Sequence, residues 1–331
     1  MKKYIALLIL LLLITGCNSN TSSSQPISKT DFYFDTVISI TLYDTDKTHL
    51  IDECFNLCAK YDNLFSKTIS DSDISKINSS KGNTTNISND TYELISTGMH
   101  YSSLTNGSFD ISIGSLSEIW NFKDKTIPSE DLIQKNLKCI DYRLIELQKN
   151  SITILNPDTQ IDVGGIAKGY VADKLKTFLI ENGVENGIID LGGNVLLIGS
   201  KPDNSNYNIG IAKPFGKDNE TIAVVRTNDK SIVTSGNYQR YFYENDILYH
   251  HIIDPKTGYP VNNNLNSVTI LSDNSVDGDA LSTSCFVLGL EEGLKLIETL
   301  DNIEAIFIDK KNNITLSSGL TIKDNVISIS N

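Results

Sequence analysis

Asp162-Val163-Gly164-Gly165-Ile166-Ala167-Lys168-Gly169 joins an extended segment to an amphipathic helix and sets paired glycines and a lysine at the junction. Upstream, Ser151-Ile152-Thr153-Ile154-Leu155 has strand composition. Downstream, Ile166, Ala167, Tyr170, Val171, Leu175, Phe178 and Leu179 recur at helical spacing as far as Asn182-Gly183, a C-cap pair. The glycines therefore stand at a helix N-terminus, where free amides and the positive end of the helix dipole meet and where a diphosphate can approach the backbone closely. Lys168 is followed by Gly169-Tyr170 rather than by Ser or Thr, and neither GxxxxGK[ST] nor GxGxxG can be read here. On these residues alone two roles stay open for the glycine pair, helix packing and phosphate holding.

Around this junction the pattern is mixed rather than a regular βα alternation. Helical spacing predicts helices over 50–64, 90–104, 129–137, 276–287 and 290–300. Short β-like runs cover 37–42, 187–191, 195–198, 207–212, 222–227, 231–234, 247–253, 267–271 and 303–308, and Lys149-Asn150 turns a hairpin between 144–147 and 152–155. Strand-rich blocks broken by isolated helices predict an α+β fold of mixed sheets with packed helices.

The amino terminus reads as an export signal. Lys2 and Lys3 precede an apolar stretch from Tyr4 to Ile14, too short for a comfortable membrane span, and Thr15-Gly16-Cys17 follows. Ile14-Thr15-Gly16-Cys17 resembles a lipobox, which divides the chain into a signal peptide (1–16), a Ser/Asn-rich tether (17–29) and a folded domain (30–331). Cys17 is then the lipidation site, anchoring the protein at the outer face of the cell membrane, or on its periplasmic side if there are two membranes. A simple secretory signal is the alternative. The net charge of -13 argues against a nucleic-acid partner, because phosphate neutralisation needs clustered Lys and Arg. An anionic ligand would need a local device such as a glycine-rich helix start or a divalent cation. Cys54, Cys58, Cys139 and Cys285 show no zinc spacing. Cys54 and Cys58 fall in an apolar helical stripe, which favours buried packing over a disulfide.

Three further stretches carry chemistry. Asp277-Gly278-Asp279-Ala280-Leu281-Ser282-Thr283 opens a helix and places Asp279 and Thr283 on one face, a carboxylate and a hydroxyl able to reach a hard cation. The same residues also suit an acidic first turn that answers the helix dipole. His251-Ile252-Ile253-Asp254-Pro255-Lys256-Thr257-Gly258 sets an imidazole ahead of a turn, either as a general base or as a structural histidine. Ser108-Phe109-Asp110-Ile111-Ser112 offers an aromatic for a ring-shaped ligand or for the core.

In their order along the chain, Ser108-Phe109-Asp110-Ile111-Ser112, Asp162 to Gly169, Asp190-Leu191-Gly192-Gly193-Asn194, Thr234-Ser235-Gly236-Asn237-Tyr238, His251 to Pro260 and Asp279 to Thr283 closely resemble the ApbE family. Members of that family are FAD:protein FMN transferases, commonly exported lipoproteins, and the resemblance runs from about Phe32 to the final strands. It implies a central FAD cleft, with FAD as substrate and Mg²⁺ as cofactor. AMP is released and FMN is joined by a phosphoester bond to a Ser or Thr of another protein. The acceptor would carry a Ser/Thr-Gly-Ala-Ser/Thr motif and belong to a membrane-associated electron-transfer system. By motif matching, Asp279, Thr283 and the Gly165 carbonyl would hold the metal, with Ser282 close by. Phe34, Ser108, Phe109, Asp110, Asp162, Lys168 and Ile253 would contact FAD, and His251, Asp279 and Lys168 would serve catalysis.

The chain departs from the family pattern at Thr68, where a Tyr or Trp is usual, and at Phe34-Asp35-Thr36, which lacks the common Met-Gly-Thr form. It carries no acceptor motif of its own, so its target is another protein. An FAD pyrophosphatase that releases FMN and AMP, and a flavin- or solute-binding lipoprotein without activity, are the alternative functions.

Overall fold

The computed structural model describes residues 25–330, so the expected signal segment and Cys17 lie outside the described residues. Eight helices occur among them: α1 (Leu50–Phe65), α2 (Asp73–Ser79), α3 (Asn89–Leu104), α4 (Gly114–Ile119), α5 (Glu130–Leu137), α6 (Ala167–Glu181), α7 (Ser275–Leu288) and α8 (Leu290–Ile297). Ser72, Ser88 and Ser129 cap α2, α3 and α5, each accepting from a backbone N–H three residues on.

The strands run β1 (Ile27–Tyr33), β2 (Thr36–Leu42), β3 (Thr85–Asn86), β4 (Ile145–Gln148), β5 (Ser151–Ile154), β6 (Gly187–Leu191), β7 (Asn194–Ile198), β8 (Tyr207–Ala212) and β9 (Thr221–Thr227). They continue with β10 (Ser231–Gly236), β11 (Tyr241–Glu244), β12 (Ile247–His250), β13 (Leu265–Ser272), β14 (Glu304–Asp309), β15 (Ile314–Leu316), β16 (Leu320–Lys323) and β17 (Val326–Ile329). Eight of them form an antiparallel sheet in the order β1-β2-β6-β7-β10-β13-β14-β15. Smaller sheets are β16-β17-β9-β8, β3-β5-β4 and β11-β12.

Both faces of the large sheet are covered, and the period-two pattern of its strands divides the core. Ala305 and Phe307 of β14 face the helices, whereas Ile306 and Ile308 face the four-stranded sheet. All eight residues of β13 are buried, which is why that run carries no polar-apolar alternation. Helices α6 and α7 pack side by side on the helix-bearing face, so that the start of α6 lies beside the first two turns of α7. A separate small core of Leu116, Trp120, Ile133 and Ile253 braces the far wall, with Trp120 Nε1 donating to the Gly258 carbonyl at 2.9 Å.

Two differences from the sequence expectations have local causes. Strand β1 begins at Ile27, inside the stretch expected to be tether. It is an edge strand with mostly exposed residues, and Ser28 bonds to the Ser39 and Thr41 hydroxyls, so it carries no apolar period to reveal it. The run 247–253 ends as a strand at His250. Beyond it the chain enters a turn closed by Gly258 N–H to Asp254 O at 2.8 Å and Asp254 N–H to Tyr259 O at 2.9 Å.

Candidate functional site

The glycine loop and the acidic helix meet through one backbone group. The N–H of Gly169 lies in the first turn of α6, where amides have no partner within their own helix. It donates to Asp279 Oδ2 at 2.9 Å, and among the described residues no donor reaches the Gly165 carbonyl. This close approach depends on glycine at 169, because a Cβ there would lie 2.4 Å from the Ser275 carbonyl oxygen and 2.6 Å from Val276 Cα. Asp279 is buried, and its Oδ1 makes no hydrogen bond but faces Lys168 Nζ at 3.8 Å.

One turn further along α7, Thr283 stands beside the same loop. A Cβ built on Gly165 would be 3.8 Å from Thr283 Oγ1 and 3.1 Å from the Phe109 ring, which seats Gly165 between hydroxyl and aromatic. Ser235, delivered by β10, bridges the helix face with its hydroxyl 2.9 Å from Ser282 Oγ and 3.1 Å from Thr283 Oγ1. Ser282 is fully buried and also donates to the Asp279 carbonyl at 3.0 Å, so it supports the face from behind.

Asp162 opens the glycine loop and holds it in shape. It accepts from Lys67 Nζ at 2.5 Å, from Ser117 Oγ at 2.6 Å and from Gly164 N–H at 2.8 Å. Burial pushes this carboxyl up, but the Lys67 charge and these donors outweigh it and hold it below the usual carboxylate range. The Gly164 amide is therefore committed to Asp162 rather than left open for phosphate. In the neighbouring loop Ser108, Phe109 and Asp110 are all buried. Asp110 accepts from the Ser112 amide and hydroxyl and from the Tyr142 amide, so its carboxylate shapes the loop that carries Phe109.

His251 follows β12 and is fixed by its own N–H donating to the Arg240 carbonyl at 3.1 Å. Its Nδ1 is buried without a hydrogen-bond partner. Burial, with the neighbouring His250, Arg240 and Lys168, pulls its pKa down to about 3, so the ring is neutral at physiological pH and becomes a stronger base only where an anion offsets those cations. The adjacent His250 is committed to structure, with Nε2 2.9 Å from the Val261 carbonyl and its ring edge-on to Phe286. Ile253, two residues past His251, belongs to the small core around Trp120.

Phe34 and Asp35 form the two-residue turn between β1 and β2, with φ of 52° and 56°. Positive φ at both positions matches the twist of a tight hairpin, although a bulky side chain rarely adopts it. The Asp35 carbonyl accepts from Arg240 Nη2 at 3.5 Å, tying this turn to the segment that holds His251.

The structure thus gathers Gly165, Lys168, Asp279, Ser282, Thr283 and Phe109 in one place, with Asp162 on the loop and His251 within electrostatic reach of Lys168. Phe34 packs against the main core and Ile253 lies in the small one, outside this cluster. Sequence reasoning missed Lys67 and Ser235 as members of the site. Lys67 follows the end of α1 with no pattern of its own, whereas Ser235 was quoted as part of a motif and could have been found from its place on a central strand.

The donor set suits a hard cation. No group of three or more His, Cys, Asp or Glu side chains placed to hold a metal ion occurs among the described residues, so a site here would draw on other oxygens as well. A carboxylate oxygen without a hydrogen bond, a backbone carbonyl without a donor and a threonine hydroxyl would leave the remaining positions to substrate oxygens, as Mg²⁺ sites commonly do.

A family model described as the ApbE family matches residues 34–307. The chain is 34% identical over 286 residues to the FAD:protein FMN transferase of Klebsiella pneumoniae (strain 342), covering 85% of this chain and 88% of that one. It is 28% identical over 345 residues to the FAD:protein FMN transferase of Treponema pallidum (strain Nichols), covering 98% and 95%. Among solved structures it is similar to the ApbE protein of Thermotoga maritima, with a TM-score of 0.82 at 28% identity over 89% of this chain and 97% of that one. The flavin transferase ApbE from Vibrio cholerae gives a TM-score of 0.79 at 25% identity, again over 89% and 97%.

Proposed function

The chain belongs to the ApbE family and is an FAD:protein FMN transferase, and we propose that the site built from Gly165, Asp279 and Thr283 is where it holds Mg²⁺ for that reaction. The observation that carries the assignment is the Gly169–Asp279 hydrogen bond, which sets a buried carboxylate beside the glycine loop whose Gly165 carbonyl has no donor. When bound, the metal supplies positive charge against the diphosphate oxygens of FAD.

The protein's own groups do the rest. The Phe109 ring and the loop shaped by Asp110 flank the glycines and would receive the flavin end of the substrate. Lys168, beside Asp279, adds a cation toward the phosphates. His251, its ring neutral and the cations around it offset by the substrate phosphates, would take the proton of the acceptor hydroxyl as its oxygen bonds to the FMN phosphorus. The bond from that phosphorus to the bridging oxygen breaks, AMP leaves, and FMN remains on the acceptor as a phosphoester.

The acceptor is taken to be another protein, with a Ser/Thr-Gly-Ala-Ser/Thr motif and a place in membrane electron transfer. Export and lipidation at Cys17 would put the enzyme on the same side of the membrane. The lipobox-like Ile14-Thr15-Gly16-Cys17 supports this part of the proposal.

Incubation of the soluble domain with FAD, Mg²⁺ and a carrier protein bearing the motif tests the reaction. Flavin fluorescence on the denatured carrier band, lost on chelation, is the expected result. Free FMN without a labelled band would mean hydrolysis, and intact FAD would mean binding alone.

A further inference from the structure

One half of the proposed metal site lies in the loop that leads into α6 and the other on α7, so their separation must be set by something other than the site itself. Asp173, in the second turn of α6, reaches across to the start of α7. Its Oδ1 accepts the Ser275 N–H at 2.7 Å and its Oδ2 accepts the Val276 N–H at 2.9 Å. These are first-turn amides, which have no partner within their own helix. Asn274, at the N-cap position, makes no side-chain capping bond, so the cap is supplied by the neighbouring helix.

The clasp lies just beyond the closest approach of the two helices. One turn before Asp173, Gly169 lets the Ser275 backbone come so near that a Cβ would overlap it. The Ser275 hydroxyl is engaged in turn by Asn194 at 2.5 Å and Ser231 at 2.9 Å, which ties the same residue to the large sheet. The start of α7 is therefore fixed at Ser275 from α6 and from β7 and β10. Asp279 stands one turn beyond that fixed point and Thr283 two turns beyond it.

We infer that Asp173 is a positioning residue for the metal site: by clasping the Ser275 and Val276 amides it fixes the axial register of α7 on α6, and so the distance from Asp279 and Thr283 to Gly165. It touches neither substrate nor metal. The inference rests on the proposed Mg²⁺ site. A shift of one residue along α7 would be a 1.5 Å translation with a 100° rotation, far more than an octahedral Mg²⁺ with oxygens at about 2.0–2.1 Å tolerates.

The test is direct metal binding. Mn²⁺ bound to the soluble domain in the presence of FAD is counted by electron paramagnetic resonance, in the wild type and in Asp173→Asn. The variant keeps the size of the side chain but sets an NH₂ group against one of the two amides. We expect Mn²⁺ affinity to fall at least tenfold while FAD binding without metal, read by flavin fluorescence, stays within twofold. Asp173→Glu, which keeps the charge with the carboxylate one methylene further out, should fall less; it decides the matter if the Asn variant does not fold. Wild-type Mn²⁺ affinity in whichever variant folds, with only the melting temperature lowered, would overturn the inference. A wild-type domain that binds FAD but no Mn²⁺ would remove the metal assignment itself, and this inference with it.

Discussion

The backbone N–H of Gly169 belongs to α6 but is spent on Asp279 of α7, 2.9 Å away. A single hydrogen bond thereby aims the Asp279 carboxylate at the glycine loop, where the Gly165 carbonyl has no donor of its own.

Asp279→Asn should therefore retain its fold and lose its reaction. The amide oxygen can still accept from Gly169, but the negative charge offered to a cation is gone. Transfer of FMN to the carrier should fall at least ~100-fold, the scale seen when one electrostatic contact is removed from an active site. Circular dichroism should match the wild type. Undiminished transfer at limiting Mg²⁺ would exclude Asp279 from the metal site.

Gly169→Ala should damage both fold and chemistry. Its methyl would meet the Ser275 carbonyl at 2.4 Å, a backbone atom that cannot rotate away. Overpacking of this kind costs about 1–3 kcal/mol, to be read from urea unfolding. Any separation of the helices would also carry Asp279 off Gly169, so activity should drop more than the loss of folded protein explains.

His251→Ala should bind FAD and fail to transfer. Loss of a general base typically costs about 10²–10⁴-fold. A variant that no longer bound FAD would make His251 a structural residue instead.

The same histidine gives a pH dependence with a defined sign. Its folded pKa is depressed to about 3, below the unfolded value of 6.5. Between those values the unfolded chain holds a proton that the native ring lacks, so this contribution to stability is complete above pH 6.5 and is lost as pH falls toward 3. His250, depressed to about 4 by burial, acts in the same sense. Urea midpoints measured from pH 7.5 to 5 should thus decline less steeply in His251→Ala. FAD held in the proposed site would set phosphate charge beside Lys168, so the ring's NMR titration should move upward when FAD is added.

Lys67→Met should raise the Asp162 pKa, followed by carboxyl NMR. Asp162 is held low, so its contribution to stability is present above the ordinary carboxylate pKa and is lost as pH falls through the lower folded value. Without Lys67 that acid-side loss should begin at higher pH, and FAD affinity should weaken as the glycine loop loosens. An unchanged titration would mean that Ser117 and Gly164 suffice.

How much of this was legible depended on what each residue answers to. The helix after Gly165 and the helix bearing Asp279 follow from local spacing, and their ends fell within a residue or two of expectation. Strand β1 did not, because an exposed edge strand has no apolar period. The ordered motifs named Gly165, Asp279 and Thr283, which the fold brings together, yet the fate of individual amides was out of reach. Gly164 N–H goes to Asp162 and Gly169 N–H to Asp279, choices made by tertiary packing rather than by the loop's own sequence. Lys67 was invisible for the same reason: its partner lies 95 residues away.

Ser235 reaches Thr283 only because β10 pairs with β13 in one register, Ser235 opposite Val268. A slip of one residue would turn its hydroxyl to the other face of the sheet. The proposed metal side of the cleft is thus tied to β13, every residue of which is buried, and drift there would cost folding before it altered chemistry. The Phe34-Asp35 turn stands outside that pairing, at the end of an exposed edge strand. Changes in substrate or acceptor preference should therefore be tolerated at that turn before they are tolerated at the proposed cation site.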